Sequence, residues 1–130
     1  MTSQGKGMRL ALCTIVTSRV EEMRVFYSGL LEQSPEAHRD NFFLFSTSGA
    51  DIALWRRSEF ETHHEARMAE SRGSAVLIEL EVEDVAAEHD RIRRLGFTPE
   101  EGPKTLPWGH TQFSLRDPEG NLVVLFNPGE

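Results

Sequence analysis

Cysteine is almost missing. Cys13 stands alone among 130 residues, which excludes an internal disulfide and suits a reducing, cytoplasmic setting. Long apolar runs are missing too: no stretch approaches the ~18 residues of a membrane span, and Met1–Gly7 (MTSQGKG) is polar rather than a signal peptide. There is no basic run. With 14 Lys and Arg against 21 Asp and Glu the net charge is −7, which argues against nucleic acid or an anionic membrane as partner. The acidic balance favours a cationic ligand, or simply aids solubility. No Ser-His-Asp arrangement, glycine-rich phosphate loop or CxxC pair is found. What remains is long enough for one domain, 1–130, with a core of its own.

The most informative stretch lies near the C-terminus, Arg116 to Phe126 (RDPEGNLVVLF). Asp117 can bond its own backbone two residues on, Pro118 fixes φ, and Gly120 and Asn121 tolerate positive φ. β-rich runs flank this turn, Phe113-Ser114-Leu115 before and Leu122 to Phe126 after, so the stretch reads as a tight hairpin.

Taken in order, Arg9 to Thr17 is β-rich and runs into Ser18, an expected N-cap, with Glu21 completing a capping box. Val20, Met23, Phe26, Tyr27 and Leu30 then form an apolar stripe, so Arg19 to about Glu32 is expected to be a helix, ended by Ser34-Pro35. Asn41 to Ser46 and Ile52 to Trp55 suggest two antiparallel strands around Ser48-Gly49. Ser58 to Gly73 is charged and fits a solvated helix or linker. Ser74 to Val82 is a strand, Asp84 a cap, and Val85, Ala86, His89, Ile92 and Leu95 a second helical stripe stopping at Gly96. A short strand from Phe97 to Glu101 and a loop from Pro103 to Pro107 lead to the final hairpin.

The second half repeats the pattern of the first. Adding 65 carries Leu10–Ile15 onto Ala75–Leu80, and adding 71 carries Gly49–Trp55 onto Gly120–Phe126. The chain then divides into a module at about 8–57, a linker at about 58–73 and a module at about 74–127. Each module reads as βαβββ.

With Trp108-Gly109-His110 leading into the Asp-Pro-Glu-Gly-Asn hairpin, Phe26-Tyr27 on the first helix and Val82-Glu83-Asp84-Val85 opening the second, the sequence resembles the vicinal oxygen chelate superfamily. That group takes in glyoxalases, extradiol dioxygenases and bleomycin-resistance proteins. The resemblance implies an α+β fold in which paired βαβββ modules form a cup-shaped mixed sheet with helices outside. Strand alternation then puts Ala11, Cys13 and Ile15 toward the helices, with Cys13 a buried inert thiol. Leu12, Thr14 and Val16 face the cavity, joined by Asp51, Ala53, Trp55 and Arg57, by Leu77, Glu79, Glu81 and Glu83, and by Leu122, Val124 and Phe126.

Metal-dependent relatives place His, Glu or Gln on the first, fourth, fifth and eighth strands. The resemblance carries those positions onto Leu12, Ala53, Leu77 and Val124, which are all hydrocarbon and offer no lone pair. No metal or other cofactor is therefore expected. Among metal-free relatives the chain is most similar to bleomycin-resistance proteins, which bind a cationic antibiotic as dimers. That similarity implies a homodimer sequestering a small organic ligand. Asp51, Glu79 and Glu81 would face a cationic group, Trp55, Trp108 and Phe113 would stack on planar rings, and His110 would open a strand of the pocket. His38 and His89 read as exposed, and His63 and His64 as surface or cap residues.

Two other readings stay open. One is a glyoxalase- or dioxygenase-like lyase, isomerase or oxygenase, either with displaced metal ligands or using Glu79, Glu81 or His110 for metal-free acid–base catalysis. The other is an assembly or regulatory subunit whose cup is filled by its own side chains.

Overall fold

The computed structural model describes residue 7, residues 10–63 and residues 77–129, without the side chains of Glu61 and His63. Most of the polar start, His64, the linker beyond residue 63 and the first residues of the Ser74–Val82 strand lie outside those described. The chain separates into two compact units, Met1–Met68 and Ala69–Glu130.

The first unit contains β1 (Leu12–Thr17), α1 (Val20–Leu31), β2 (Glu36–His38), β3 (Phe42–Phe45), β4 (Asp51–Arg56) and α2 (Arg57–His63). Its strands form a four-stranded sheet in the order β1-β4-β3-β2. β1 and β4 run parallel, and the other neighbours antiparallel. The register puts Cys13, Ile15, Phe43, Phe45, Ile52 and Leu54 on one face. There α1 lays down its stripe of Val20, Met23, Phe26, Tyr27 and Leu30, with Tyr27 6.3 Å from Phe45 between ring centres. Each such large side chain contributes about 1.5–3 kcal/mol when fully buried, which is what holds this amphipathic helix to the sheet.

The ends of α1 differ from expectation. Arg19, not Ser18, is the N-cap, and no side chain caps it. The hydroxyl of Thr17, buried at the end of β1, accepts the Arg19 N–H at 2.9 Å. Glu21 pairs instead with Arg24, so the capping box does not form. At the other end Glu32 takes a left-handed φ of 55°, and the Gln33 N–H turns back to the Ser28 carbonyl at 3.1 Å. The helix stops there, before Ser34-Pro35 is reached. β2 is an addition, a fully exposed strand of 3 residues too short and polar to be read from pattern.

The second unit contains β5 (Leu77–Glu81), α3 (Val85–Arg94), β6 (Glu101–Thr105), β7 (Thr111–Arg116) and β8 (Leu122–Asn127), in the sheet order β5-β8-β7-β6. Asp84 caps α3 as expected, accepting the Ala87 N–H at 3.0 Å. Gly96, at φ 96°, ends it: its N–H bonds the Arg93 carbonyl and the Phe97 N–H the Ile92 carbonyl. This paired closure needs positive φ at the glycine. β6 starts later than expected and includes Pro103, a residue expected in a loop. An edge strand tolerates the missing N–H, and the register slips between Glu101 and Lys104.

The terminal hairpin forms around Asp117. One carboxylate oxygen accepts the N–H groups of Glu119 and Asn121, both at 2.9 Å, and the other accepts the Asn121 amide at 2.8 Å. Gly120 takes φ 87° and closes the turn on the Asp117 carbonyl at 2.8 Å.

The internal repeat is present in the backbone pairing. In the first sheet Leu12 pairs with Asp51, Cys13 with Ile52 and Thr14 with Ala53. In the second Leu77 pairs with Leu122, Ile78 with Val123 and Glu79 with Val124. The same offsets of 65 and 71 relate every pair. Both units are mixed α+β, each a sheet with its longer helix, α1 or α3, on one face; in the first, Phe60 of α2 also meets Trp55 on the other. No helix among the described residues is long and apolar enough to cross a membrane.

Candidate functional site

In the second sheet the face turned away from α3 carries most of the polar side chains, together with Phe126. On the second sheet the pairing lays them out in rows. Glu81, Phe126 and Gln112 form one row, Glu79, Val124 and Ser114 the next, and Leu77, Leu122 and Arg116 the third. Glu79 and Glu81 are exposed, about 7 Å apart along the strand, and Leu77 is 50% exposed. His110 precedes β7 and stacks on Phe126, with ring centres 5.2 Å apart and planes at 17°. Trp108 stands edge-on to His110 at 6.4 Å and is 68% exposed. An exposed indole, a stacked imidazole and phenyl pair, and two acceptor carboxylates therefore share one surface.

Phe113 is not part of it. It alternates with Gln112 and Ser114, so it points to the α3 side, where it is 0% exposed and meets His89 edge-on at 5.0 Å. A buried ring packed on a helix cannot stack on a ligand at the opposite face. His89, expected to be exposed, is half-buried by this contact.

The corresponding face of the first sheet carries Leu12, Thr14 and Val16 from β1, Phe42 and Leu44 from β3, and Asp51, Ala53 and Trp55 from β4. Leu12 is 40% exposed, whereas Ala53 is completely buried. The Asp51 carboxylate accepts the Thr47 N–H at 3.0 Å and so closes the β3–β4 turn. Arg57 does not continue the strand but opens α2. Trp55 is held on three sides: Phe42 and Phe60 meet it edge-on at 5.7 and 5.4 Å, and its indole N–H donates to Glu59 at 2.9 Å. This Trp is a fixed wall, not a free stacking platform.

Glu59 was not legible as a site residue, because its partners come from a distant turn. It accepts from the Arg39 guanidinium, from the Trp55 indole and from the Asn41 amide at 3.2 Å. The Arg39 hydrogen bond first, and the Trp55 one after it, hold the Glu59 carboxyl below its usual range. Arg56 adds bonds to the Asn41 side chain at 2.9 Å and to the Asp40 carbonyl at 3.1 Å. Gln112, Ser114 and Arg116 join the face of Glu79 and Glu81 as well, as their alternation with Phe113 and Leu115 requires.

Cys13 faces the α1 side as expected but is exposed, not buried. It lies near the start of β1, where Leu10, Ala11 and Leu12 are exposed as well, and burial grows only toward Thr17.

The four positions that the resemblance assigned to metal ligands lie diagonally in pairs, Leu12 with Ala53 and Leu77 with Val124, on the faces away from the helices. All four are hydrocarbon. Among the described residues no three His, Cys, Asp or Glu side chains are grouped to hold an ion. This donor set does not fit a divalent metal.

No curated protein matches the chain by sequence. Solved structures resemble it in fold. A glyoxalase/bleomycin resistance protein/dioxygenase from Nocardioides superposes with a TM-score of 0.78 at 19% identity, covering 100% of this chain and 87% of its own. A glyoxalase/bleomycin resistance protein/dioxygenase family enzyme from Burkholderia phytofirmans PsJN gives 0.75 at 21%, covering 92% and 98%. TioX from Micromonospora sp. ML1 gives 0.68 at 15%, covering 90% and 96%. Identities this low carry the fold alone. Residues 9–125 match the sequence model of one family across nearly the whole chain, and the protein belongs to that family, the glyoxalase/bleomycin resistance protein/dioxygenase superfamily.

Proposed function

We propose that the protein binds a small organic molecule bearing a cationic group, without a metal at the positions its superfamily uses for one. The observation that carries this reading is hydrocarbon at Leu12, Ala53, Leu77 and Val124, and it is supported by the aromatic and acidic side chains that share one face of the second sheet. On that surface Trp108, His110 and Phe126 offer aromatic faces, and Glu79 and Glu81 offer acceptors on the adjoining strand. A planar cation gains from both, since aromatic stacking and carboxylate pairing act at different atoms of the ligand. A homodimer as the working form rests on the resemblance to bleomycin-resistance proteins alone.

Titration with 9-aminoacridine, a planar cation, against its neutral parent acridine tests the reading. Saturable quenching of Trp108 by the cation, weakened about tenfold or more in Glu81→Gln, is the expected result. Equal binding of the two compounds, or no binding, refutes it.

A catalytic reading is favoured by one observation, the His110 imidazole on the same face as Glu79 and Glu81. It requires turnover of a bound ligand that His110→Ala abolishes while binding persists. Retention of the ligand unchanged by both proteins refutes it.

A further inference from the structure

Away from the sheet faces described above, the first unit has a cavity of about 500 Å³ between α1 and the β2–β3 hairpin. Glu21, Arg24 and Ser28 contribute from α1, where spacings of three and four residues set them on one helix face. Pro35, Asp40 and Phe43 contribute from the chain opposite. The volume lies within the range of small-molecule sites, about 300–1,000 Å³.

The charges in this wall do not cancel. Arg24 donates through Nε and Nη2 to a single oxygen of Glu21, at 3.1 and 2.8 Å, and its guanidinium lies 5.8 Å from the Phe43 ring centre. Its cation is thereby spent within the wall. The second Glu21 oxygen and the Asp40 carboxylate have no partner among the described residues. The Ser28 hydroxyl is closed off from solvent and also lacks a hydrogen-bond partner. An unsatisfied buried hydroxyl costs about 1–3 kcal/mol, and Ser28 is one of the residues lining the cavity.

The turn presenting Asp40 is strained and pinned. Arg39 and Asp40 sit at φ 63° and 74°, a region L residues rarely adopt. The strain is held by Arg39 on Glu59, and by Arg56 on the Asp40 carbonyl and the Asn41 side chain. Strain of this kind persists where surrounding contacts over-determine it, often to fix a functional group.

We infer that this cavity is a second ligand site, separate from the sheet faces, and that it takes a small hydroxylated primary amine. The ammonium pairs with Asp40 and the free Glu21 oxygen, a ligand hydroxyl bonds Ser28, and the carbon skeleton rests on Pro35 and Phe43. Ethanolamine is the test ligand, titrated into the full ¹⁵N-labelled chain and followed by amide shifts, with ethylene glycol and acetate as neutral and anionic controls. Saturable shifts at Glu21–Ser28 and Ala37–Phe43 with ethanolamine alone are expected. Asp40→Asn, which tolerates the same backbone conformation, weakens binding about tenfold or more, and Ser28→Ala about threefold or more. Unperturbed amides elsewhere verify that both variants fold. No saturable shift at these residues, equal shifts with acetate, or undiminished binding by Asp40→Asn overturns the inference.

Discussion

Replacing Asp117 by Ala removes the acceptor that shapes the C-terminal hairpin. Its carboxylate is 4% exposed and takes hydrogen bonds from two backbone N–H groups and one side-chain amide. A bond to a charged group contributes about 1.5–3 kcal/mol, but the three cannot be summed. Glu119 is exposed, so its freed N–H finds water, while the half-buried Asn121 loses both its bonds. The net cost is therefore about 2–4 kcal/mol, equivalent to one or two of these bonds. At this chain length each kcal/mol moves Tm by about 3–5 °C, so Asp117→Ala is expected to melt roughly 6–20 °C lower. Asp117→Asn keeps the shape but loses the charge and one acceptor, and falls between Ala and the parent. Thermal unfolding by far-UV circular dichroism measures both. A loss below about 1 kcal/mol in the Ala variant would mean that the β-rich flanks fix the hairpin by themselves.

Other substitutions probe other links. Glu32→Gly relieves a left-handed residue at the end of α1 and should stabilise by about 0.5–1 kcal/mol, measured by urea denaturation; a loss would show that Glu32 carries an interaction worth more than its strain. Tyr27→Ala leaves a hole under α1 and should cost about 3–5 kcal/mol in the same assay; a cost near zero would contradict the packing of α1 on Phe45. The Glu59 carboxyl lies below its ordinary 4.5, so its contribution to stability is complete above that value and is lost as pH falls through the lowered one. In a Trp108→Phe background the fluorescence of Trp55 should therefore change in acid with a midpoint below 4.5, and Glu59→Gln should remove the step. A midpoint above 4.5 would reverse the sign.

What could be read from the sequence was local or periodic. Asp84, Gly96 and the Asp117 turn act on their own backbones, so residue type and spacing were sufficient to place them. The two-module repeat was legible because a strand position that must be apolar in one module must be apolar in the other. Competition between neighbours was harder to read. Thr17 sits one residue ahead of the expected Ser18 cap and takes the Arg19 N–H itself. The aromatic chemistry of Phe113 suggests a stacking role, but its alternation with Gln112 and Ser114 gives the opposite face. The group around Glu59 joins residues from 39 to 59 through a turn with unfavourable φ, and no local pattern announces such a turn. Cys13 was assigned a face correctly but not a depth, because alternation says nothing of where along a strand the covering helix begins.

Metal affinity bears most directly on the proposal that hydrocarbon side chains have replaced the ligand set of this superfamily. Isothermal titration of the full chain with Zn²⁺, Ni²⁺, Mn²⁺ and Fe²⁺ in turn should give only weak, non-stoichiometric heats. One site per chain with a Kd of about 1 μM or tighter, for any of the four ions, would contradict it.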